Sequence, residues 1–126
     1  MAMSSAPAKE NLLKERSYAF ALRTIKLYKH LSSESREYVL SNQILRSGTS
    51  IGANITEGNR AQSKLDFVHK LAIALKEADE TEYWLNLLRD SDYITASQAE
   101  SLLTDCSQLQ RLLISSIKTA KANLNK

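Results

Sequence analysis

Apolar side chains recur at helical spacing in four segments of the chain. The segments run from about residue 9 to 31, from the serine-rich cluster at 32–35 to Gly58, from Ser63 to about Ser91, and from Thr95 onward. In the last three segments the apolar positions follow one another at steps of three and four, and in the first segment they recur at helical spacing over a wide face, so each segment has an apolar helix face. Four such helices of roughly 22 to 29 residues, joined by short links, predict an all-α protein, an antiparallel up-down-up-down four-helix bundle.

The predicted core-facing positions form one line along each helix, which we call its seam. Helices with such seams pack at the shallow angle typical of bundles. The seam positions are Leu13, Phe20, Leu27 and Leu31 in helix one, with Tyr18, Leu22 and Ile25 beside them; Leu40, Ile44, Gly48, Ile51 and Ile55 in helix two; Phe67, Leu71, Ala74, Ala78, Thr81, Leu85 and Leu88 in helix three; and Leu102, Cys106, Leu109, Leu113, Ser116 and Ala120 in helix four.

Polar residues between the segments indicate where the helices begin and end. Hydroxyl groups in the cluster 32–35 are expected to cap helix two, and Gly58 is expected to end it in a left-handed conformation. Capping boxes are expected at the starts of helices three and four, at Ser63 with Asp66 and at Thr95 with Gln98.

Composition supports one domain of this kind. A chain of 126 residues that is 43% apolar suits a single core, and three glycines and one proline are too few for the turns of a β-sandwich or barrel. Residues 1–8, which contain the proline, are expected to be a disordered tail before a bundle domain at 9–126. The longest apolar run, 71–75, is too short for a membrane span, and one cysteine makes no internal disulfide, so we expect a cytoplasmic protein with no membrane partner.

The charges are segregated although the net charge is only +3. Residues 1–31 hold six basic and two acidic side chains, whereas Glu77, Asp79, Glu80 and Glu82 make the middle of the chain acidic. This asymmetry is compatible with RNA on the basic helices and also with basic and acidic faces of different subunits meeting. Composition does not choose between the two.

No arrangement of residues predicts catalysis, a metal site or a cofactor. Di-metal bundles need an acid-x-x-His motif on each of two helices, and this chain has one, Asp66 with His69. Glycine-rich phosphate loops and nucleophile elbows are missing from the sequence, and Cys106 falls on a predicted seam. We therefore expect a protein that is not an enzyme.

Helix two contains weak helix formers, and another interaction must offset the stability that they cost. Gly48 and Gly52 each cost about 1 kcal/mol relative to alanine, which favours close approach of another helix over exposure of the backbone to a ligand. On that interpretation leucine at either position is expected to destabilise the protein and alanine to be tolerated.

A polar stripe lies on the same helix, at Arg46, Ser50, Asn54 and Glu57. Glu57 lies in the last turn, where the helix dipole disfavours an acid, so we expect either an ion pair with Lys64 across the hairpin or a cap on the N–H groups at the start of helix three. The same hairpin geometry places Arg46 near Asp79 and Glu80.

The segment 43–58 resembles the signature of a bacterial four-helix-bundle family whose founding members are encoded within intervening sequences of 23S ribosomal RNA genes. The family-motif positions proposed for a site are Arg46, Ser50, Asn54, Glu57, Gly58, Glu80 and Glu82. The other matching residues are Gln43, Ile44, Ser47, Ile51, Ile55, Phe67, Leu71, Ile73, Ala74, Leu75, Leu85, Tyr93 and Ile94. The resemblance implies a non-catalytic bundle that forms a homopentamer, and a related branch is similar to accessory proteins of diversity-generating retroelements, which partner a reverse transcriptase and RNA.

Two functions remain open on the sequence. One is an RNA-associated or retroelement-accessory module, with phosphate contacts from Arg23, Lys26, Lys29, Lys118 and Lys121. The other is a structural or protein-interaction oligomer without a nucleic-acid role. Association itself is expected because apolar positions on the Phe20 and Ile25 lines, and at Trp84 and Leu87, exceed what one four-helix core needs.

Overall fold

The computed structural model describes residues 8–124, and four α-helices account for most of them. They are α1 (Ala8–Ser33), α2 (Val39–Asn59), α3 (Lys64–Asp90) and α4 (Ala96–Leu124). Consecutive helices pack antiparallel, and α1 closes the bundle against α4. The residues 8–124 contain no strand, so the predicted antiparallel four-helix bundle is confirmed.

The predicted tail lies almost wholly outside the described residues, which begin at Ala8, the first residue of α1. Within residues 8–124, no helix is long and apolar enough to cross a membrane.

The core consists of the predicted seams. The fully buried apolar side chains include Leu13, Phe20 and Leu31 of α1, Ile44, Ile51 and Ile55 of α2, Leu71, Ala74, Ala78, Leu85 and Leu88 of α3, and Cys106, Leu109 and Leu113 of α4. Leu27, Leu40 and Phe67 pack against them from partly buried positions. Burial of this continuous apolar surface is what holds the four helices together.

Two buried hydroxyl residues of α1 face the glycines of α2. Thr24 lies against Gly48, and a Cβ atom at position 48 would overlap the Thr24 methyl group. Ser17 lies against Gly52, where a Cβ would be 3.3 Å from the Ser17 Oγ. The glycines therefore permit close approach of α1, as predicted. At Gly48 the neighbouring Thr24 side chain fills the space that an alanine Cβ would need, so the structure argues against the expectation that alanine is tolerated there.

The start of α2 differs from the prediction. Ser32 and Ser33 do not cap it, because their hydroxyls donate to the carbonyls of Tyr28 and Lys29 in the last turn of α1. Instead, the Glu37 carboxylate accepts hydrogen bonds from three consecutive backbone N–H groups at the start of α2. These are the N–H groups of Val39 at 3.2 Å, Leu40 at 3.1 Å and Ser41 at 2.8 Å.

The predicted left-handed conformation at Gly58 is also wrong. No glycine in residues 8–124 has a positive φ, and Gly58 lies inside the last turn of α2. Its lack of a side chain serves close packing, because a Cβ there would be 3.2 Å from the Lys70 Cβ of α3. The positive φ angles fall in the other two links, at Arg36 with 52° and Asp92 with 67°.

The capping box predicted at Thr95 and Gln98 is confirmed, whereas at Ser63 and Asp66 the described residues form one of its two bonds. Ser63 Oγ accepts a hydrogen bond from the Asp66 N–H at 3.0 Å. Thr95 and Gln98 form a reciprocal pair, in which each side chain accepts from the backbone N–H of the other, at 3.1 and 2.8 Å. These bonds satisfy N–H groups that the first helical turn leaves free.

Candidate functional site

The polar stripe of α2 borders α3, and its two ends are ion-paired to that helix. At one end Arg46 binds Glu77 at 3.2 Å and also binds Glu80. At the other end Glu57 binds Lys70 at 2.9 Å. The prediction that Arg46 reaches Glu80 is confirmed, but its second partner is Glu77 rather than Asp79.

The predicted partner of Glu57, Lys64, is wrong. The actual partner, Lys70, is nearly two helical turns further along α3. Lys70 lies in the second turn of α3, so it is this turn, rather than the first residue of α3, that lies beside Glu57. The hydrogen bond with the Glu57 carboxylate raises the pKa of Lys70 above its ordinary 10.5.

Between the ion pairs, the stripe hydrogen-bonds to its own helix. Ser50 Oγ donates to the Arg46 carbonyl at 2.6 Å, and Asn54 Nδ2 donates to the Ser50 carbonyl at 2.9 Å. Such bonds to the preceding turn satisfy the side chains locally and leave few groups free for a ligand. The stripe therefore serves mainly to join α2 to α3.

Trp84 adds a further contact to this α2–α3 interface. The sequence predicted only an apolar role for it. Its indole N–H donates to Glu80 at 2.9 Å, across the one-turn spacing that brings such side chains together. The pKa of Glu80 lies below its ordinary 4.5, mainly because of this hydrogen bond and further because of Arg46. Burial of the carboxyl acts in the opposite direction. The carboxylate of Glu80 thus joins the only tryptophan of the chain to the α2–α3 interface.

This contact predicts a pH-dependent fluorescence signal. A carboxyl whose pKa is lowered on folding stabilises the native state above its unfolded pKa, and the stabilisation is lost as the pH falls through the folded pKa. We expect the Trp84 emission of the native protein to change with a midpoint below pH 4.5. In Glu80→Gln this transition should be absent, and in Glu82→Gln, which leaves the indole contact intact, it should remain. A transition that persists unchanged in Glu80→Gln would contradict the assignment.

Glu82, the remaining motif acid, faces α4. Its carboxylate and that of Asp79 each accept a hydrogen bond from the Gln110 amide at 2.9 Å. The acidic cluster is therefore divided between two interfaces. Glu77 and Glu80 face Arg46 of α2, whereas within residues 8–124 the hydrogen-bond partner of Asp79 and Glu82 is a neutral amide.

The residues proposed for nucleic-acid contact lie in two separate groups. Arg23 bridges α1 and α4 by binding Asp105 at 2.7 Å and the Ser101 hydroxyl at 2.9 Å, and Lys26 and Lys29 lie in the following turns. Lys118 and Lys121 lie near the other end of the bundle, beyond the point where Ser115 binds Lys9. At 1.5 Å per residue, about 20 to 25 Å of helix separates Arg23, which lies level with Ser101 and Asp105, from Lys118.

Residues 8–124 contain no group of three or more His, Cys, Asp or Glu side chains that could hold a metal ion. Asp66 and His69 are both exposed on α3. Cys106 is buried, its Sγ lies 3.3 Å from the Ala78 carbonyl, and burial raises the pKa of the thiol to about 12. A thiol in this state is a poor nucleophile at neutral pH.

Two open grooves flank α1. The α1–α2 groove, of about 870 Å³, runs beside Tyr18, Gly52 and Ala53 and includes the carboxylates of Glu15 and Glu57. The α1–α4 groove, of about 540 Å³, is lined by Arg23, Lys26, Leu27, His30, Ser97, Gln98, Ser101 and Leu102.

Comparison with known proteins identifies the family. The sequence matches the model of the 23S rRNA-intervening sequence protein family over residues 9–115. This chain belongs to that family. A crystal structure from Bacteroides thetaiotaomicron, described as a protein with unknown function from the S23 ribosomal protein family, is 57% identical and superposes with a TM-score of 0.87, covering 87% of this chain and 98% of that one. A comparison with curated proteins found no match.

For this member of the 23S rRNA-intervening sequence protein family, the motif positions recognised in the sequence have a structural explanation. Arg46 and Glu57 fix α2 against α3 through ion pairs, and Gly58 lets the two helices approach closely. Glu80 and Glu82 secure the outer edges of α3 toward α2 and α4. The motif thus holds helices together, and nothing in its geometry points to enzymatic activity.

Proposed function

We propose that this family member is a non-catalytic assembly subunit that associates with copies of itself. The observation that carries the proposal is an exposed apolar pair on α1, where Tyr18 is 68% and Leu22 is 53% exposed. Large apolar side chains one turn apart on an open helix face are typical of an interface. The pair belongs to the Ile25 line that the sequence suggested, whereas Phe20 is buried and Ile25, Trp84 and Leu87 are partly buried.

A complementary surface lies on α3. Tyr83 is 57% exposed there, beside Asp79 and Glu82, which have no cationic partner among the described residues. The helix α3 carries six acidic and four basic side chains, whereas α1 carries six basic and two acidic ones. Opposite charge on the two surfaces favours contact between α1 of one subunit and α3 of the next.

The positions of these surfaces favour a ring. In the described residues α1 and α3 do not contact each other, because they occupy diagonal corners of the bundle. Two different complementary surfaces on opposite sides of a subunit produce head-to-tail association, which closes into a ring when the rotation permits. A homopentamer is the ring that the family resemblance implies.

Mass measurement of matched variants tests this proposal. We expect native mass spectrometry of the parent protein to give about five times the chain mass of 14.1 kDa and Leu22→Glu to give monomers, because a carboxylate buried at an apolar contact is strongly unfavourable. The matched control is Ile114→Glu on α4, since Ile114 is 55% exposed but lies outside both surfaces. A parent protein that stays monomeric at micromolar concentration, or equal dissociation of both variants, would refute the proposed interface.

Association with RNA, alone or together with a reverse transcriptase, is the alternative function. The cationic side chains proposed for RNA contact are present. They lie in two distant groups, however, so the geometry supports RNA association less well than it supports assembly. A salt titration separates the two functions. Binding through several phosphates weakens steeply between about 50 and 200 mM salt, whereas a mostly apolar subunit contact does not.

A further inference from the structure

The α1–α4 groove has a lining that is unlike that of the α1–α2 groove. Arg23, Lys26 and His30 approach it from α1, while Ser97, Gln98 and Ser101 approach it from α4. No carboxylate is among its lining residues, whereas Glu15 and Glu57 line the α1–α2 groove. Asp105 pairs with Arg23 beside the groove, and the cationic and hydroxyl donors of the lining are the kinds of group that recognise a phosphate.

Arg23 is held in place before any ligand binds. Its Nη1 donates to Asp105 and to the Ser101 carbonyl, and its Nη2 donates to the Ser101 hydroxyl. A guanidinium has five N–H donors, so the Nε–H and one Nη2–H have no hydrogen-bond partner among the described residues. A fixed guanidinium with free donors loses little conformational entropy when it binds an anion.

Lys26 and His30 supply the remaining donors from α1. Asp105 balances the charge of Arg23, but Lys26 has no ion-pair partner in residues 8–124 and contributes an uncompensated positive charge. The His30 ring presents an N–H donor in either protonation state. Lys26 and His30 are four residues apart on α1, so their side chains lie on the same side of the helix.

The groove also has an apolar part. Leu27 and Leu102 lie among the polar residues, and Leu102 is largely buried. A volume of about 540 Å³ is within the usual range for pockets that bind small molecules. A ligand that fits this lining combines a phosphate with a flat, weakly polar group that can rest on the two leucines.

We infer that the α1–α4 groove binds the phosphate of a nucleotide, with Arg23, Lys26 and His30 as donors and the base placed over Leu27 and Leu102. The ligand is either a free nucleotide or one unit of a single-stranded nucleic acid, because both present the same phosphate and base. This site is independent of the proposed assembly. It lies on the α4 side of α1, away from Tyr18, and its test does not depend on the mass of the protein.

Calorimetric titration with adenosine, AMP and a ten-nucleotide oligoadenylate RNA tests the inference, with the intact protein at low salt. We expect saturable binding of AMP and none of adenosine, which lacks the phosphate. Lys26→Gln should weaken AMP binding about tenfold, as expected for loss of one charged hydrogen-bond donor. Lys14→Gln is the matched control, because it removes the same charge from an exposed position of α1 that does not line the groove, and it should change the affinity less than about twofold.

The RNA titration identifies the source of the phosphate. Equal affinities for AMP and oligoadenylate indicate a free nucleotide, whereas RNA binding at least about tenfold tighter, with the same loss in Lys26→Gln, indicates a strand. The inference is overturned if neither probe saturates below about 5 mM, if adenosine binds as well as AMP, or if Lys26→Gln and Lys14→Gln weaken binding equally. Circular dichroism melting of both variants verifies that the bundle is intact.

Discussion

Gly48→Ala is expected to destabilise the protein, although alanine is the better helix former. A Cβ at position 48 would overlap the Thr24 methyl and lie 3.0 Å from the Thr24 Cβ. Rotation of the Thr24 side chain moves the methyl group but not that Cβ, so α1 and α2 must move apart. Overpacking of this kind costs about 1 to 3 kcal/mol, which exceeds the gain of about 1 kcal/mol in helix propensity. We expect Gly48→Leu to be still more disruptive.

Gly52→Ala is the matched control for this substitution. Its added Cβ would lie 3.3 Å from the Ser17 Oγ, a tight contact that a small shift relieves. Urea unfolding should therefore show Gly52→Ala near the parent protein and Gly48→Ala clearly below it. Thr24→Ala should reduce the loss when combined with Gly48→Ala, since it removes the overlapping methyl group. A Gly48→Ala protein as stable as the parent would show that the two helices do not approach so closely.

Glu37→Ala is expected to lower the free energy of unfolding by about 1 to 2 kcal/mol. Its carboxylate accepts from the N–H groups of Val39, Leu40 and Ser41 and places a negative charge at the positive end of the α2 dipole. Tyr38, the residue immediately before α2, makes no side-chain capping bond that could take over this role.

Glu34→Ala is the charge-matched control for Glu37→Ala. Glu34 is an exposed acid in the same link, and its own backbone N–H binds the His30 carbonyl of α1. Urea unfolding should separate the two variants. Hydrogen exchange should show faster exchange at residues 39–41 in Glu37→Ala alone. Equal destabilisation by both substitutions would mean that overall charge, rather than the cap, is responsible.

Periodicity within each helix was enough to predict much of the fold. Steps of three and four placed Ile44, Ile51 and Ile55 on one buried face, and the seams of α3 and α4 were found in the same way. The caps at Ser63 and Thr95 were also predictable, because they depend on residues only three positions apart. Information of this kind is local, and the sequence contains it directly.

The relative placement of the helices could not be obtained in that way. The glycines at 48 and 52 indicated close approach, but only the tertiary structure shows that Ser17 and Thr24 fill the space beside them. The choice of Lys70 over Lys64 as the partner of Glu57 likewise depends on where the link places α3 along α2. Several pairings are compatible with the same helical periodicity, and packing of whole side chains selects one.

The same distinction between local sequence and tertiary structure applies to the candidate site. The sequence determined the residue types of the family motif and the cationic character of α1, because both are properties of single helices. Only the tertiary structure decided that the motif joins α2 to its neighbours, that Lys118 and Lys121 lie far from Lys26, and that His30 and Ser101 line one groove. Those facts depend on the antiparallel register of α1 and α4, which arises from contacts between residues about 80 to 100 positions apart in the chain.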